Sequence, residues 1–142
     1  MTRAIIDASV MVKTVVDQPL TGNARTVIKS YDLSAPTLLA AETANALLKY
    51  VRAGVSSRES AIEALETIGR HAIDFHPIDS VVTRESFEIA LDLSHPIYDC
   101  YYLSLSRRLT APFITADLKL LRKAEAAKFN VINLADIPES AQ

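Results

Sequence analysis

Four acids stand where a carboxylate can do more than stay solvated. Asp7 follows the apolar run Ala4-Ile5-Ile6, and Asp117 follows Phe113-Ile114-Thr115-Ala116. Both runs have the length and β-branched content of buried strands, so both acids fall at strand exits. In open α/β sheets, ligands gather at the carboxyl ends of the strands, where strand order reverses. Glu42 has Leu38 and Leu39 one helical turn before it and Asn45 and Ala46 one turn after, which sets it on a half-apolar face. Asp99 lies in Pro96-Ile97-Tyr98-Asp99-Cys100-Tyr101-Tyr102, a helix start crowded with apolar and aromatic side chains. Each acid also has a purely local reading. Asp7 and Asp117 suit helix N-caps, Asp99 complements the positive end of a helix dipole, and Glu42 could lie on a solvated face.

Convergence of these acids needs a counter-ion. Two carboxylates ~4 Å apart repel by about 4 kcal/mol at an effective dielectric near 20. Oxygen-only ligands favour Mg2+ or Mn2+, which keep several waters and are held through a few carboxylates. Such an ion polarises a phosphoryl oxygen and activates water for in-line attack. Ser9 and Thr115 could orient the carboxylates, or serve as capping and turn hydroxyls. Asn45 could hydrogen-bond a carboxylate and fix its rotamer, or simply face water. Lys49 and Arg52 follow Glu42, Arg107 and Arg108 follow Asp99, and Lys119, Arg122 and Lys123 follow Asp117. These cations could form a phosphate-gripping rim, or merely complement helix C-termini. His71, His76 and His95 show no paired spacing of metal-ligating histidines, so no histidine metal site is expected. Cys100, with no His or Lys adjoining it in sequence, reads as a small buried hydrophobe. Tyr98, Tyr101 and Tyr102 read as core or interface more than as base-stacking platforms.

The elements that must position the acids follow from the same pattern. A strand at Ala4–Ile6 leads into a short helix at Val10–Val16, for which Ser9 is the expected N-cap. Thr21–Ser30 reads as a helix with Ala24, Val27 and Ile28 on one face, and Leu33–Pro36 as a strand. Thr37–Ala53 is the clearest helix: Leu38, Leu39, Ala41, Ala44, Leu47, Leu48 and Val51 recur at helical spacing and Gly54 stops it. Ser57–His71 follows with Ala61, Ile62, Leu65 and Ile68 expected inward. After it come a strand at Ile73–Ile78 and a helix at Asp79–Leu93 carrying Val82, Phe87, Ile89, Ala90 and Leu91. Pro96 suits the first turn of a helix over Ile97–Leu109. A strand at Phe113–Thr115, a helix at Asp117–Lys128 and a strand at Val131–Leu134 complete the chain, and the tail 138–142 is expected to fray. Short apolar strands alternating with helices imply a parallel sheet covered on both faces.

Bulk properties narrow the functional classes. At 142 residues, with 49% hydrophobic and 23% charged residues, the expectation is a single globular domain with a real core. A formal net charge of −2 argues against a generic basic nucleic-acid coat, but not against a nucleic-acid enzyme acting through bound cations. One cysteine rules out an internal disulfide framework and a cysteine zinc cluster. No apolar run approaches membrane-spanning length and no signal-peptide pattern opens the chain, so the expected location is cytoplasmic, with no membrane partner.

Four segments together resemble a known family. They are Ile5-Ile6-Asp7-Ala8-Ser9, Glu42-Thr43-Ala44-Asn45-Ala46-Leu47, Tyr98-Asp99-Cys100-Tyr101-Tyr102-Leu103 and Ile114-Thr115-Ala116-Asp117. In order, spacing and context they resemble the PIN-domain proteins, most closely the toxin ribonucleases of VapBC-type toxin–antitoxin pairs. That resemblance implies an α/β fold, a three-layer α/β/α sandwich on a short, mostly parallel sheet. It also implies Mg2+- or Mn2+-dependent endoribonuclease activity with Asp7, Glu42, Asp99 and Asp117 as catalytic and metal-holding acids. Ser9 and Thr115 match the family's hydroxyls after the first acid and before the last. The implied partners are RNA, a cognate antitoxin and a second copy of the chain, for which the small size and apolar helices also speak. Two other classes compete: a non-catalytic RNA- or protein-binding module on the same fold, which the complete acid set disfavours, and a phosphoacceptor signalling domain. The latter needs an early acid pair and a lysine after a late strand; the pair is absent and the lysines near the sheet edge are poorly placed.

Overall fold

Among the described residues five short strands form one sheet, and their order explains where the acids meet. The computed structural model describes residues 1–139. Strand β1 (Thr2–Ile6) is followed by α1 (Ala8–Met11) and a 3-10 turn at Val12–Thr14. Next come α2 (Thr21–Ser30), β2 (Tyr31–Pro36), α3 (Leu38–Arg52) and α4 (Arg58–Gly69). Then follow β3 (Ile73–His76), α5 (Ser80–Leu93), α6 (Ile97–Leu109), β4 (Phe113–Thr115), α7 (Leu118–Ala126), β5 (Val131–Asn133) and a 3-10 turn at Leu134–Asp136. The strand order is β3-β2-β1-β4-β5. Every pairing is parallel, so the sheet is wholly rather than mostly parallel. Ile5 and Ile6 of β1 sit opposite Phe113 and Ile114 of β4.

Chain order reverses between β1 and β4, which is the switch point of a doubly wound sheet. Right-handed crossovers put α1–α4 on one face and α5–α7 on the other, a three-layer α/β/α arrangement. Helix α6 crosses the middle of the sheet, touching β1, β2 and β4. Ile5, Ile6, Phe113 and Ile114 have no exposed surface, as expected of central parallel strands. Tyr102 of α6 stacks on Phe113 with ring centroids 5.7 Å apart. A second, smaller core of Val12, Leu47, Ala61 and Ala64 joins the first 3-10 turn to α3 and α4. No helix among the described residues is long and apolar enough to cross a membrane.

Several expectations change. The cap of α1 is Asp7, whose Oδ1 accepts from the Val10 amide at 3.3 Å, and not Ser9. The chain leaves the strand directly into the helix, so the acid holds the N-cap position itself. The helix expected over Val10–Val16 is α-helical only to Met11 and then tightens to 3-10. Asp117 caps α7 rather than beginning it, and that helix ends at Ala126. Ile62 (47%) and Leu65 (40%) on α4, Phe87 (54%) and Leu91 (65%) on α5 and Leu48 (44%) on α3 are exposed instead of inward. Ala41 also faces out. These helices bury a narrow stripe only: Leu39, Thr43 and Leu47 on α3, Ala61 and Ala64 on α4, Ser86 and Ile89 on α5. Of the tail expected to fray, Pro138 and Glu139 are irregular, and residues 140–142 lie outside the described residues.

Candidate active site

The carboxyl ends of β1 and β4 are adjacent, and the side chains that leave them interlock. Thr115, the last residue of β4, donates its hydroxyl to Asp7 Oδ2 at 2.6 Å. Ser9, in the first turn of α1, donates to Asp7 Oδ1 at 2.5 Å. Each hydroxyl has one proton, and both protons are given to Asp7. The two hydroxyl oxygens, 3.3 Å apart, are therefore neighbours more than partners. Their lone pairs accept from the next stretch of backbone: Ala116 N–H reaches Ser9 Oγ at 3.0 Å and Asp117 N–H reaches Thr115 Oγ1 at 3.1 Å. The strand exits are thus stitched to each other through one buried carboxylate.

Asp7 is 6% exposed. Burial pushes its pKa up to about 6 against the hydrogen bonds from Ser9 and Thr115, and the Asp99 charge raises it further. Glu42, in the second turn of α3, also has its pKa raised, by burial first and then by Asp99, against the hydrogen bond from Tyr102. Tyr102 Oη gives that bond to Glu42 Oε1 at 2.6 Å. Burial and the charges of Glu42, Asp7 and Asp99 push the Tyr102 phenol far up, which fixes it as a donor. Asp99, in the first turn of α6, is the charge common to this group, and its Oδ2 lies 2.6 Å from His95 Nε2.

Asp117 arrives at the same sheet edge but does local work. Its Oδ1 accepts from the amides of Lys119 and Leu120 at 3.1 and 3.2 Å, capping α7. Its charge is not among those acting on Asp7 or Glu42. Asn45 is exposed, and the donor on Glu42 is Tyr102 instead. An i+3 residue lies about 60° around the helix, enough to turn Asn45 to solvent. Cys100 is buried, donates to Pro96 O at 3.5 Å, and has its thiol pushed up to about 11 by burial, so it is an inert core residue.

The rim of cations divides. Arg107 and Arg108 end α6, about 12–14 Å along the axis from Asp99 at 1.5 Å per residue. Arg107 lies over the Phe129 ring at 4.6 Å and Arg108 pairs with Glu85 at 3.3 Å, so neither belongs to the acidic centre. Lys49 and Arg52 are exposed on the last turns of α3, about 10–15 Å along the axis beyond Glu42. Lys119 and Arg122 are exposed at the start of α7, beside Asp117. Lys123 instead donates to Ser94 O at 2.8 Å.

Three participants carried no obvious signal in sequence. Lys13 lies near enough for the Asp7 charge to act on it, while burial lowers its pKa. Its Nζ is held by Gln18 Oε1 at 3.2 Å. Tyr102 and His95 each hold one acid. The only local clues were the i,i+3 spacing of Asp99 and Tyr102 and the i,i+4 spacing of His95 and Asp99.

The donor set suits a hard divalent cation. Burial and then the Asp99 charge raise the pKa values of both Asp7 and Glu42, as expected of carboxylates short of positive charge. Among the described residues no three His, Cys, Asp or Glu side chains stand close enough to enclose an ion. Mg2+ does not require that, since it keeps several waters and binds through one or two carboxylates.

A family model described as PIN domain matches residues 4–126. The chain is similar to Ribonuclease VapC3 of Pyrobaculum aerophilum, 28% identical over 127 residues that cover 87% of this chain and 96% of that protein. Its fold is similar to the crystal structure of PAE2754 from Pyrobaculum aerophilum, with a TM-score of 0.71, 19% identity, and coverage of 94% of this chain and 90% of that one. It is also similar to VapBC2 from Rickettsia felis, solved bound to a DNA fragment from its promoter. There the TM-score is 0.66 and the identity 14%, with 93% of this chain and 98% of that one covered. A match spanning residues 4–126, on a sheet whose switch point brings the Asp99 charge to bear on Asp7 and Glu42, makes this chain a member of the PIN domain family.

Proposed function

We propose that the protein is a divalent-metal-dependent endoribonuclease that hydrolyses RNA phosphodiesters at the β1–β4 crevice, and that it is the toxin of a toxin–antitoxin pair. One observation carries the reading: Asp7 is buried with its pKa pushed up to about 6, beside Asp99, at the switch point of the sheet. A buried carboxylate in that condition favours a cation as its partner. The similarity to a protein named Ribonuclease VapC3 supports the reaction class.

In this reading Asp7, Glu42 and Asp99 would hold Mg2+ or Mn2+, in part through its waters, and Asp117 would add charge through the oxygen not used for its cap. Such an ion, when bound, would supply Lewis acidity toward a phosphoryl oxygen and make its water easier to deprotonate. Ser9 and Thr115 keep the Asp7 carboxylate in one orientation, and Tyr102 does the same for Glu42. Lys13 offers the phosphodiester a cation on the Asp7 side, and Lys119 and Arg122 offer two more at the start of α7. A protein partner is part of the proposal. The similarity to a VapBC complex and the exposed Phe87 and Leu91 on α5 support an antitoxin and a second copy of the chain.

The test is cleavage of defined RNAs by protein purified free of any co-expressed partner, with Mg2+, Mn2+ or chelator. The expected result is cleavage with either metal and none with chelator. Asp7→Ala and Asp99→Ala should abolish it with helical content intact. Wild-type cutting by either variant would overturn the reading, and RNA binding without metal-dependent turnover would favour a non-catalytic module.

A further inference from the structure

His95 has no part in the reading above, yet its side chain is 4% exposed and meets the one acid common to the site. Its backbone is held on both sides. Helix α5 ends with Ser94 in the left-handed region (φ 49°), and His95 N–H returns to Ala90 O at 3.1 Å. This is the 6→1 bond of a Schellman stop. Pro96 follows and restricts His95 to extended backbone. Lys123 of α7 then ties down the turn through Ser94 O at 2.8 Å. A ring so anchored has little freedom, and it points Nε2 at Asp99 Oδ2, 2.6 Å away.

The direction of that bond follows from its partners. At 2.6 Å one of the two atoms must carry a proton, and a carboxylate serving a cation has none to give, so Nε2 carries it. Nδ1 is buried with no hydrogen-bond partner among the described residues. A buried bare lone pair costs less than a buried N–H with nothing to receive it, which again puts the proton on Nε2. One oxygen of Asp99 is thereby committed to a buried, backbone-anchored neighbour, and the other remains for the crevice.

We propose that His95 is a positioning residue: its Nε2–H fixes the Asp99 carboxylate so that a single oxygen serves the divalent ion. The role rests on the nuclease reading, but its first test does not. In full-length protein with chelator, long-range 1H–15N NMR of the histidine rings should show the Nε2–H form for His95. A proton on Nδ1, with Nε2 bare, would overturn the proposal whatever the enzyme does.

The second test is Mn2+ binding by calorimetry with single-turnover RNA cleavage. His95→Leu should weaken Mn2+ binding by roughly 10–100-fold and lower kcat, with KM for RNA unchanged. His95→Gln, whose amide nitrogen reaches the place of Nε2, should stay within about threefold of wild type; His95→Asn, which reaches only the place of Nδ1, should resemble His95→Leu. A folded His95→Leu with wild-type Mn2+ affinity would overturn the proposal. Should His95→Leu fail to fold, equal Mn2+ affinities for the Gln and Asn variants would do so. Wild-type protein that binds no Mn2+ would sink the nuclease reading instead, and would leave the ring test standing.

Discussion

At the scale of single residues, the site is one buried acid and two half-buried ones, each with a dedicated donor. Asp7 has Ser9 and Thr115, Glu42 has Tyr102, and Asp99 has His95. The arrangement has a thermodynamic cost that can be measured. The Asp7 pKa stands at about 6 in the fold against 3.8 for a free aspartate side chain. The folded state therefore binds that proton more tightly than the unfolded state. Stability contributed by this group rises as pH falls from 6 toward 4, and is lost above 6, by up to about 3 kcal/mol. Asp7→Asn should accordingly raise the urea-unfolding free energy of chelated protein at pH 8. The gain should be somewhat under 3 kcal/mol, since the amide nitrogen cannot accept a hydroxyl proton, and it should shrink toward pH 4.5. A variant less stable than wild type at pH 8 would contradict the assignment. Tyr102→Phe should cost about 1–2 kcal/mol in the same assay, because Glu42 loses its donor in a half-buried place. The placement of Asp7 and Asp117 at strand exits, and of Glu42 and Asp99 near the starts of their helices, was legible in the sequence. Their donors were not, because a donor is chosen by which helices cross, and Tyr102 and Glu42 are 60 residues apart.

At the scale of elements, helix polarity decides which charges can serve the site. Helix α6 begins at the carboxyl edge of the sheet, so Asp99 in its first turn reaches the crevice and Arg107 and Arg108 in its last turn do not. Element types and centres were legible from hydrophobic spacing, and α2 and β4 match their expected limits of Thr21–Ser30 and Phe113–Thr115. Rotation was not legible for α4 and α5. Their spacing allowed a broad apolar face, but the surfaces they meet accept only Ala61, Ala64, Ser86 and Ile89, and Ile62, Leu65, Phe87 and Leu91 stay outside. Helix ends offer a separate test. Thr110 closes α6 with φ 50°, and the bond from Ala111 N–H to Ser106 O at 3.1 Å completes the stop. A β-branched residue is poorly suited to the left-handed region. Thr110→Gly should raise stability by about 0.5–1 kcal/mol, read as a higher urea midpoint with an unchanged slope. Because Thr110 lies at the far end of α6, RNA cleavage should be unaffected.

At the scale of the whole molecule, the sheet order is what makes a site. Placing β4 beside β1 brings Thr115 onto Asp7 across 108 residues of chain. It also gathers acids whose mutual repulsion the metal-free fold must carry. A ligand that binds only the folded form stabilises it by mass action. Mn2+ at 100 times its Kd should therefore add about 2.7 kcal/mol of unfolding free energy, visible as a higher Tm that EDTA reverses and Asp7→Asn lacks. An unchanged Tm at saturating Mn2+ and Mg2+ would count against a metal site there. The sequence by itself determined the residue types, the strand runs, the helix stops and the places where acids interrupt apolar segments. Those properties act within one or two turns of chain, so a short window contains all their causes. Only the tertiary structure decided that Thr115 shares the Asp7 carboxylate with Ser9, that Tyr102 is the donor to Glu42, and that the Asp99 charge reaches both Asp7 and Glu42. Those outcomes depend on which elements lie side by side, and burial and charge act between neighbours in space whatever their separation along the chain.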